Sequence, residues 1–183
     1  IGFSGINECD DGIGCKTQAV ENVKKLKENG AQLIICSFHW GDENSYTPSD
    51  VHTALAKAVI DEGADLVVAH HPRVLQGIST YKGKYICYSL GNFCSGGNTE
   101  CRDKDTIIFQ QSFVLLNGQV QDNADYTIIP CSISTETTAN TFCPTPASGD
   151  DAQRILTKLY DMSAQLEGGI SSKDTDPTGS SLE

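Results

Sequence analysis

The chain has 183 residues, the length of a single domain. Its 24 acidic and 13 basic residues give a formal net charge of −11 at pH 7. A surface of that sign repels nucleic acid, so we expect no nucleic-acid partner. A content of 38% hydrophobic and 20% charged residues excludes collagen-like, coiled-coil and wholly disordered chains.

The two ends of the chain differ from its middle. Residues Ile1 to Gly5 contain no initiator methionine and no signal sequence, so we expect the chain to be cut from a longer protein. The last part, Gly168 to Glu183, is rich in Gly, Ser and Asp and lacks apolar periodicity. The sequence therefore predicts a folded domain over residues 1–167 and a disordered tail over residues 168–183.

Eight cysteines are spread along the chain. Cys36 and Cys87 lie in apolar runs, and we expect them to be small buried hydrophobic residues. The other six lie in loop-like sequence at spacings that permit short disulfides, namely Cys9/Cys15, Cys94/Cys101 and Cys131/Cys143. The chain has no CxxC motif, which argues against a structural zinc ribbon.

The first hundred residues alternate between helical and buried-strand patterns. Apolar spacing predicts a helix over Thr17–Asn29, and a continuous apolar run predicts a buried strand at Leu33–Cys36. A second helix is predicted from Thr47 to Gly63, followed by a second buried strand at Leu66–Ala69. This order indicates a right-handed strand–helix–strand unit with parallel strands.

The pattern then changes to hairpins. Two tight-turn signals, Lys82-Gly83 and Asn117-Gly118, are each flanked by strand-like runs. The flanking runs are Val74–Tyr81, Lys84–Leu90, Asp105–Leu116 and Gln119–Ile129. An amphipathic helix at Asp151–Glu167 follows. The sequence therefore predicts an α/β fold with a layered mixed sheet, in which a parallel βαβ core passes into antiparallel hairpins.

Three polar loops follow the predicted strands that end at one edge of the sheet. These loops are His39–Glu43, His70–Arg73 and Ser89–Phe93, and they contain three of the four histidines. Ligands bind beyond the carboxyl ends of strands in open α/β sheets, and neighbouring strands are about 4.8 Å apart. We therefore expect the three loops to form one site.

The residue types in these loops suit a metal site. Imidazole and carboxylate together bind Zn²⁺, Mn²⁺ or Fe²⁺, whereas Ca²⁺ and Mg²⁺ prefer oxygen ligands. The candidate metal ligands are His39, His70, His71 and Glu43, the candidate catalytic residues are His39, Glu43 and Asn92, and the candidate substrate-binding residues are Arg73 and Trp40. The guanidinium of Arg73 is suited to an anionic group, and Asn92 to orienting a ligand or a water.

Simpler interpretations exist for several of these residues. His71 could support another ligand rather than bind metal, Glu43 could be a solvated charge, and Trp40 could pack over the site without contacting substrate. His52, on the second predicted helix, is expected at the surface. The GxSxG, GxxxxGK[ST] and GxGxxG motifs are absent, which argues against α/β-hydrolase, P-loop and dinucleotide-binding sites.

Three stretches carry a resemblance to a known family: SFHWGDE at Ser37–Glu43, LAKAVIDEGADLVVAHHPRVLQ at Leu55–Gln76, and YSLGNF at Tyr88–Phe93. In order and spacing they resemble the bacterial capsule-synthesis CapA family, the poly-γ-glutamate biosynthesis group with a calcineurin-like metallophosphoesterase fold. The resemblance covers about residues 1–100. It implies a metal-dependent hydrolase-type site, an anionic polymer or phosphoester substrate, and other capsule-synthesis proteins as partners. It also implies a membrane-anchored location on the extracellular face of the bacterial envelope.

The chain departs from the family pattern in two ways. The family's second loop resembles Gly-His-His-Pro-His-Val, whereas Arg73 stands here in place of the last histidine. The family's early Gly-Asp, Asn-Leu-Glu and Asn-Asn-His motifs, which would supply the remaining ligands, are not found. We therefore expect the C-terminal portion of such a protein, with a site that is incomplete and inactive alone. Its divalent metal (Mn, Fe or Zn) would then be held by the full-length protein, and this fragment would hold that metal or none.

Two other classes of protein stay open. One is a non-catalytic surface or polymer-binding module that keeps the fold without a working centre. The other is a secreted binding domain stabilised by disulfides, which would leave few of the eight cysteines reactive.

Overall fold

The computed structural model describes residues 1–7, 13–94, 101–121, 125–136 and 138–172. Within these residues the helices are α1 (Ile13–Glu28), α2 (Asp50–Glu62) and α3 (Gly149–Ser163). The strands are β1 (Gly2–Asn7), β2 (Ile34–His39), β3 (Leu66–His70), β4 (Ile78–Tyr81), β5 (Lys84–Cys87), β6 (Asp105–Gln111), β7 (Leu115–Leu116), β8 (Gln119–Val120), β9 (Tyr126–Ser132) and β10 (Thr145–Pro146).

The main sheet has the strand order β1-β2-β3-β5-β4. Strands β1, β2, β3 and β5 are parallel, and β4 runs antiparallel to β5. The helices α1 and α2 connect the first three strands, so the predicted parallel βαβ core is confirmed. The predicted hairpin around Lys82-Gly83 is also confirmed, since it is the β4–β5 pair.

Two apolar clusters lie on opposite faces of this sheet. The first joins α1, α2 and the strands β2 and β3, and its buried residues include Val23, Phe38, Leu55 and Val67. The second joins β4 and β5 to α3 and to the antiparallel sheet β10-β9-β6. Neighbouring β5 residues face opposite clusters, because side chains alternate along a strand. The parallel strands are therefore covered on both faces, as their continuous apolar runs predict.

The hairpin at Asn117-Gly118 is confirmed but is shorter than predicted. Asn117 and Gly118 have φ angles of 52° and 78°, the left-handed conformation that a tight two-residue hairpin turn requires. Only β7 and β8 pair beside the turn, whereas β6 and β9 form a separate seven-residue ladder. The long predicted strands are thus interrupted between the two ladders.

At the two ends of the domain the sequence analysis missed one strand and placed the start of the tail too early. The strand β1 was not predicted, although it pairs with β2 along its whole length. The predicted disordered tail does not begin at Gly168, because the backbone there bonds to β4: Thr80 donates to the Gly168 carbonyl at 2.8 Å, and Ile170 donates to the Ile78 carbonyl at 3.1 Å. The Ile170 side chain is buried. Residues 173–183 lie outside the described residues.

The cysteines divide between core and surface. Cys36 and Cys87 are buried free thiols in the parallel strands, as predicted. Cys15 is disulfide-bonded, while Cys9 lies outside the described residues. Cys94, Cys131 and Cys143 are free thiols, and Cys101 accepts a hydrogen bond from the Asn140 amide at 3.5 Å. The Cys94/Cys101 and Cys131/Cys143 disulfides, which the spacings permit, are therefore not formed.

Across the described ranges, no helix combines the length and the hydrophobicity that crossing a membrane requires.

Candidate functional site

The first two site histidines end adjacent parallel strands. His39 and His70 are register partners at the carboxyl ends of β2 and β3. The backbone N–H of Trp40 donates to the His70 carbonyl at 3.1 Å, which continues the pairing one residue further. Register partners on parallel strands share a face of the sheet, so the two imidazoles project from the same side.

His71 brings a third imidazole against the first. Its Nδ1 lies 2.8 Å from Nε2 of His39, and the ring centroids are 4.6 Å apart. One nitrogen donates and the other accepts, according to the tautomers. His71 has a φ angle of 101°, a strained conformation for a residue with a side chain. The backbone thus turns sharply after His70, which directs the His71 ring toward His39.

These histidines line an open cavity of about 270 Å³. The other lining residues are Arg73 from the second predicted loop, Gly91, Asn92 and Phe93 from the third, and Cys94, which follows the third loop. The expectation that polar loops from three strands meet at one edge is therefore confirmed. Cys94 was not predicted as a site residue.

Gln76, which is 2% exposed, holds the three loops in place. Its side-chain amide donates at 2.9 Å to the carbonyl of Ser45, since the first loop extends in the structure from the end of β2 to the start of α2. Its backbone N–H donates to the Ser89 carbonyl of the third loop at 3.1 Å. The first and second loops are also joined directly, because the Asn44 N–H donates to the Pro72 carbonyl at 2.8 Å. These hydrogen bonds therefore tie the loops around the cavity to one another.

The charge state of His70 follows from its setting. Burial, together with the charge of His39 when protonated, lowers the pKa of His70 below its usual value. His70 is therefore neutral at pH 7, the form in which an imidazole donates a lone pair to a metal.

Glu43 and Arg73 form an ion pair at the rim of the cavity. Arg73 Nη2 lies 2.6 Å from Glu43 Oε1, and both side chains are about half exposed. Arg73 lines the cavity, whereas Glu43 is not among the lining residues and reaches it only through Arg73. Arg73, which stands in place of the last histidine of the family pattern, therefore has a carboxylate partner in Glu43.

Trp40 and His52 are both buried side chains. Trp40 is 1% exposed, stacks on Phe38 at 4.7 Å, and donates from Nε1 to the Tyr88 carbonyl at 3.1 Å. Its ring is therefore packed in the first apolar cluster, which agrees with the packing interpretation, and the alternative role in contacting substrate is wrong. The predicted surface position of His52 is also wrong, since its ring is buried against Trp40. The helical pattern did not reveal that this face of α2 lies over an aromatic ring.

Asn7 is a neighbour of the site that the sequence analysis did not identify. It is the register partner of His39 at the end of β1, so it belongs to the same row as His39 and His70. Recognising β1 as a strand would have placed Asn7 there. The sequence of β1, Gly-Phe-Ser-Gly-Ile-Asn, contains fewer apolar residues than the other parallel strands.

The donor set fits a metal ion only in part. Neutral imidazoles suit borderline ions such as Zn²⁺, Mn²⁺ and Fe²⁺. Among the described residues, no group of three or more His, Cys, Asp or Glu side chains is already arranged to hold an ion. The described side chains of the cavity would therefore need further donors to complete a coordination sphere.

A parallel sheet with helical crossovers, antiparallel hairpins and a histidine-lined carboxyl edge defines a mixed α/β protein, consistent with a metallophosphoesterase-like fold. The family model described as bacterial capsule synthesis protein PGA_cap matches residues 4–97, and the chain belongs to this family.

Three curated relatives are similar to this chain in sequence. The chain is 34% identical over 152 residues to the PGA biosynthesis protein CapA of Bacillus subtilis, an alignment that covers 80% of this chain and 37% of the relative. It is 47% identical over 74 residues to the capsule biosynthesis protein CapA of Bacillus anthracis, covering 40% of this chain and 18% of the relative. A probable polyglutamine synthesis accessory protein of Mycobacterium tuberculosis is 36% identical over 63 residues, or 33% of this chain and 16% of the relative. The chain thus spans well under half the length of these relatives.

Proposed function

We propose that this chain acts in capsule or poly-γ-glutamate synthesis and supplies the imidazole side of a metal-dependent, hydrolase-type site. The family membership and the names of the relatives support the pathway. The observation that carries the site is the pairing of His39 with His71 at 2.8 Å, beside His70, in one open cavity.

The distance between the two imidazole nitrogens fits this role. Nitrogen ligands lie about 2.0–2.1 Å from zinc, so two of them on a tetrahedral ion are about 3.3 Å apart. The 2.8 Å contact of His39 with His71 therefore needs to open by only about half an ångström to admit an ion between the rings. Rotation of two side chains at a solvent-open cavity is sufficient for this change.

The side chains around the cavity have distinct roles in this proposal. His39, His71 and His70 hold a divalent ion (Mn, Fe or Zn), and Glu43 is a further ligand if it leaves Arg73. A bound ion of this kind polarises the bond to be cleaved and lowers the pKa of water. Arg73 steadies an anionic group of the substrate, an anionic polymer or a phosphoester, because its planar guanidinium matches carboxylate and phosphate oxygens. Asn92 orients the substrate or the attacking water.

The described side chains do not complete a coordination sphere, and the chain covers 37% of the Bacillus subtilis relative. We therefore propose that other parts of a longer protein supply the missing ligands and that this chain alone does not turn over substrate. We also propose a membrane-anchored position on the extracellular face of the bacterial envelope, in contact with other capsule or poly-γ-glutamate synthesis proteins.

Calorimetric titration of this chain with Mn²⁺ and with Zn²⁺ tests the site. We expect binding that weakens by about tenfold or more in His39→Ala and in His71→Ala, because each removes one imidazole. Val51→Ala is the control, since Val51 is exposed on α2 and does not line the cavity, so its substitution leaves the affinity unchanged. Equal affinity in the wild type and both cavity variants would contradict the proposal.

The second candidate is a non-catalytic polymer-binding module. It is favoured by the ion pair between Arg73 and Glu43, which leaves the carboxylate engaged, and by the incomplete ligand set. The same titration on a longer protein that contains this chain separates the two candidates, because a module of this kind binds neither ion at the histidines.

A further inference from the structure

Glu43 is fixed beside Arg73 by the backbone as well as by charge. Its Oε1 lies 2.6 Å from Nη2 of Arg73. The N–H of Asn44, the residue after Glu43, donates at 2.8 Å to the carbonyl of Pro72, the residue before Arg73. The two loops are therefore bonded to each other at the point where the ion pair forms.

Unusual backbone conformations surround this contact. Asn44, His71 and Arg73 have φ angles of 63°, 101° and 62°. They are three of the six non-glycine residues with a positive φ angle in the described part of the chain. Such conformations are costly for residues with a side chain, and they cluster where a structure holds a ligand or a switch. A chance meeting of two exposed side chains needs none of them, so the ion pair is a specific feature of the cavity rim.

The charges of the cavity contrast with those of the whole chain. The chain carries 24 acidic residues and a net charge of −11. The described lining of the cavity contains no Asp or Glu, but it contains three imidazoles, the guanidinium of Arg73 and the carboxamide of Asn92. All of these groups carry N–H donors, and a guanidinium with neighbouring N–H donors suits carboxylate or phosphate oxygens. Glu43, which lies outside the lining, therefore occupies from the rim a group that the cavity presents to anions.

We propose that Glu43 competes with anionic ligands for Arg73, so that a carboxylate or a phosphate enters the cavity by displacing the Glu43 carboxylate from the guanidinium. This inference rests on the proposed function, which assigns an anionic group of the substrate to Arg73. An ion pair between half-exposed side chains is weak, because water competes for both charges. A ligand inside the cavity bonds to Arg73 and to the imidazole and carboxamide N–H groups together, so it replaces Glu43 with a net gain in contacts. Glu43 thereby lowers the affinity for every anion and excludes those that reach Arg73 alone.

A titration of the metal-free chain, followed by NMR, tests this competition. Glutarate and inorganic phosphate are added in separate titrations, which distinguish a carboxylate from a phosphate, and the backbone signals of Gly91 and Asn92 report binding in the cavity. We expect Glu43→Gln to bind the anion about two- to sixfold more tightly than the wild type, since a typical exposed ion pair occupies Arg73 to that extent. Arg73→Asn should lose most of the binding, and asparagine tolerates the left-handed backbone at this position.

Asp42→Asn is the matched control. It removes the same charge from the exposed residue next to Glu43 and leaves the ion pair of Glu43 with Arg73 in place. We expect its affinity to match that of the wild type at 0.15 M salt, because the general attraction of an exposed charge is screened. An equal gain in Glu43→Gln and Asp42→Asn would attribute the effect to net charge and overturn the inference.

The other outcomes separate this inference from the proposed function. Equal affinity in the wild type and Glu43→Gln, with binding lost in Arg73→Asn, overturns the competition and leaves Arg73 as the anion-binding residue. Weaker binding in Glu43→Gln also overturns it, because Glu43 would then position Arg73 for the anion. The absence of binding in every variant overturns the anion-binding role of Arg73 together with this inference, whereas the metal titration alone decides the histidine site. Because Glu43 is exposed, circular dichroism of Glu43→Gln is expected to match the wild type.

Discussion

Trp40 and His52 stack with ring centroids 4.9 Å apart and planes inclined by 25°. Trp40 follows His39 directly, and His52 is in the first turn of α2. Nδ1 of His52 lies 2.9 Å from the hydroxyl of Ser49, the N-cap residue of this helix. The stack therefore joins the end of β2 to the start of α2, beneath the imidazoles of the cavity.

Replacing His52 by Ala should destabilise the fold. The substitution removes a buried ring from Trp40 and the partner of the Ser49 hydroxyl, so we expect the free energy of unfolding to fall by about 1–3 kcal/mol. Urea denaturation measures the change. Val51→Ala is the control on the same helix, because Val51 is 46% exposed, and it should change the free energy by less than about 0.5 kcal/mol. Equal effects of the two substitutions would contradict the structural role of the stack.

Asp105 should make the stability depend on pH. It accepts two hydrogen bonds from Arg154 and one from Lys158, all at 2.8 Å. Burial raises the pKa of Asp105, but these cationic partners outweigh it, so the pKa lies below the usual value of 3.8. The carboxylate therefore stabilises the fold fully above about pH 5, and this contribution is lost as the pH falls below about 4.

Asp105→Asn tests this dependence. We expect the substitution to lower the free energy of unfolding by about 2 kcal/mol at pH 7 and to have a smaller effect as the pH falls below about 4. Denaturation curves at several pH values give the comparison. Asp161→Asn, at an exposed position on α3, should leave the curve of the wild type unchanged. A loss of the same size at pH 7 and at pH 2 would show that the charge is not the cause.

Ile170 should anchor the segment that follows α3. Its side chain is 4% exposed in the second apolar cluster, and its N–H pairs with β4. Ile170→Ala removes buried methyl groups, so we expect a loss of about 2–5 kcal/mol in unfolding free energy. Val114→Ala is the matched control, because Val114 is 56% exposed. A loss under about 0.5 kcal/mol for Ile170→Ala would mean that the segment does not pack in solution.

The thiols should differ in reactivity according to burial. Burial, and to a lesser extent the nearby charge of Asp65, raises the pKa of Cys36 to about 12, and burial also raises the pKa of Cys87. At pH 8 the native protein should therefore react with a thiol reagent at Cys94 and Cys143, and at Cys36 and Cys87 only after unfolding. Mass spectrometry of modified peptides identifies the sites. Rapid labelling of Cys36 in the native state would be inconsistent with the buried strand.

The parallel core could be predicted because two properties coincide in it. Leu33–Cys36 and Leu66–Ala69 are apolar at successive positions, as strands covered on both faces require, and a helix with a clear apolar stripe lies between them. The positions of His39 and His70 followed from the rule that parallel strands end at one edge. The site could be located from the sequence for the same reason.

Other features depend on contacts between distant residues. Trp40 and His52 are buried where their rings stack on each other, and no local sequence pattern indicates this contact. The segment around Ile170 is ordered by hydrogen bonds to β4, and a composition of Gly and Ser gives no sign of them. The strand β1 is a similar case, since its alternating residues and two glycines do not resemble a buried strand, and its pairing with β2 supplies the order.

The position of Gln76 limits how this protein can tolerate changes in loop length. One buried residue bonds to both the first and the third loop, so an insertion in either would pull on the other through the same side chain and backbone. Surface loops usually absorb insertions at low cost. Around this cavity an added residue would instead displace imidazole, guanidinium and carboxamide together, so library designs that alter the specificity of this edge should vary side chains and keep the chain length fixed.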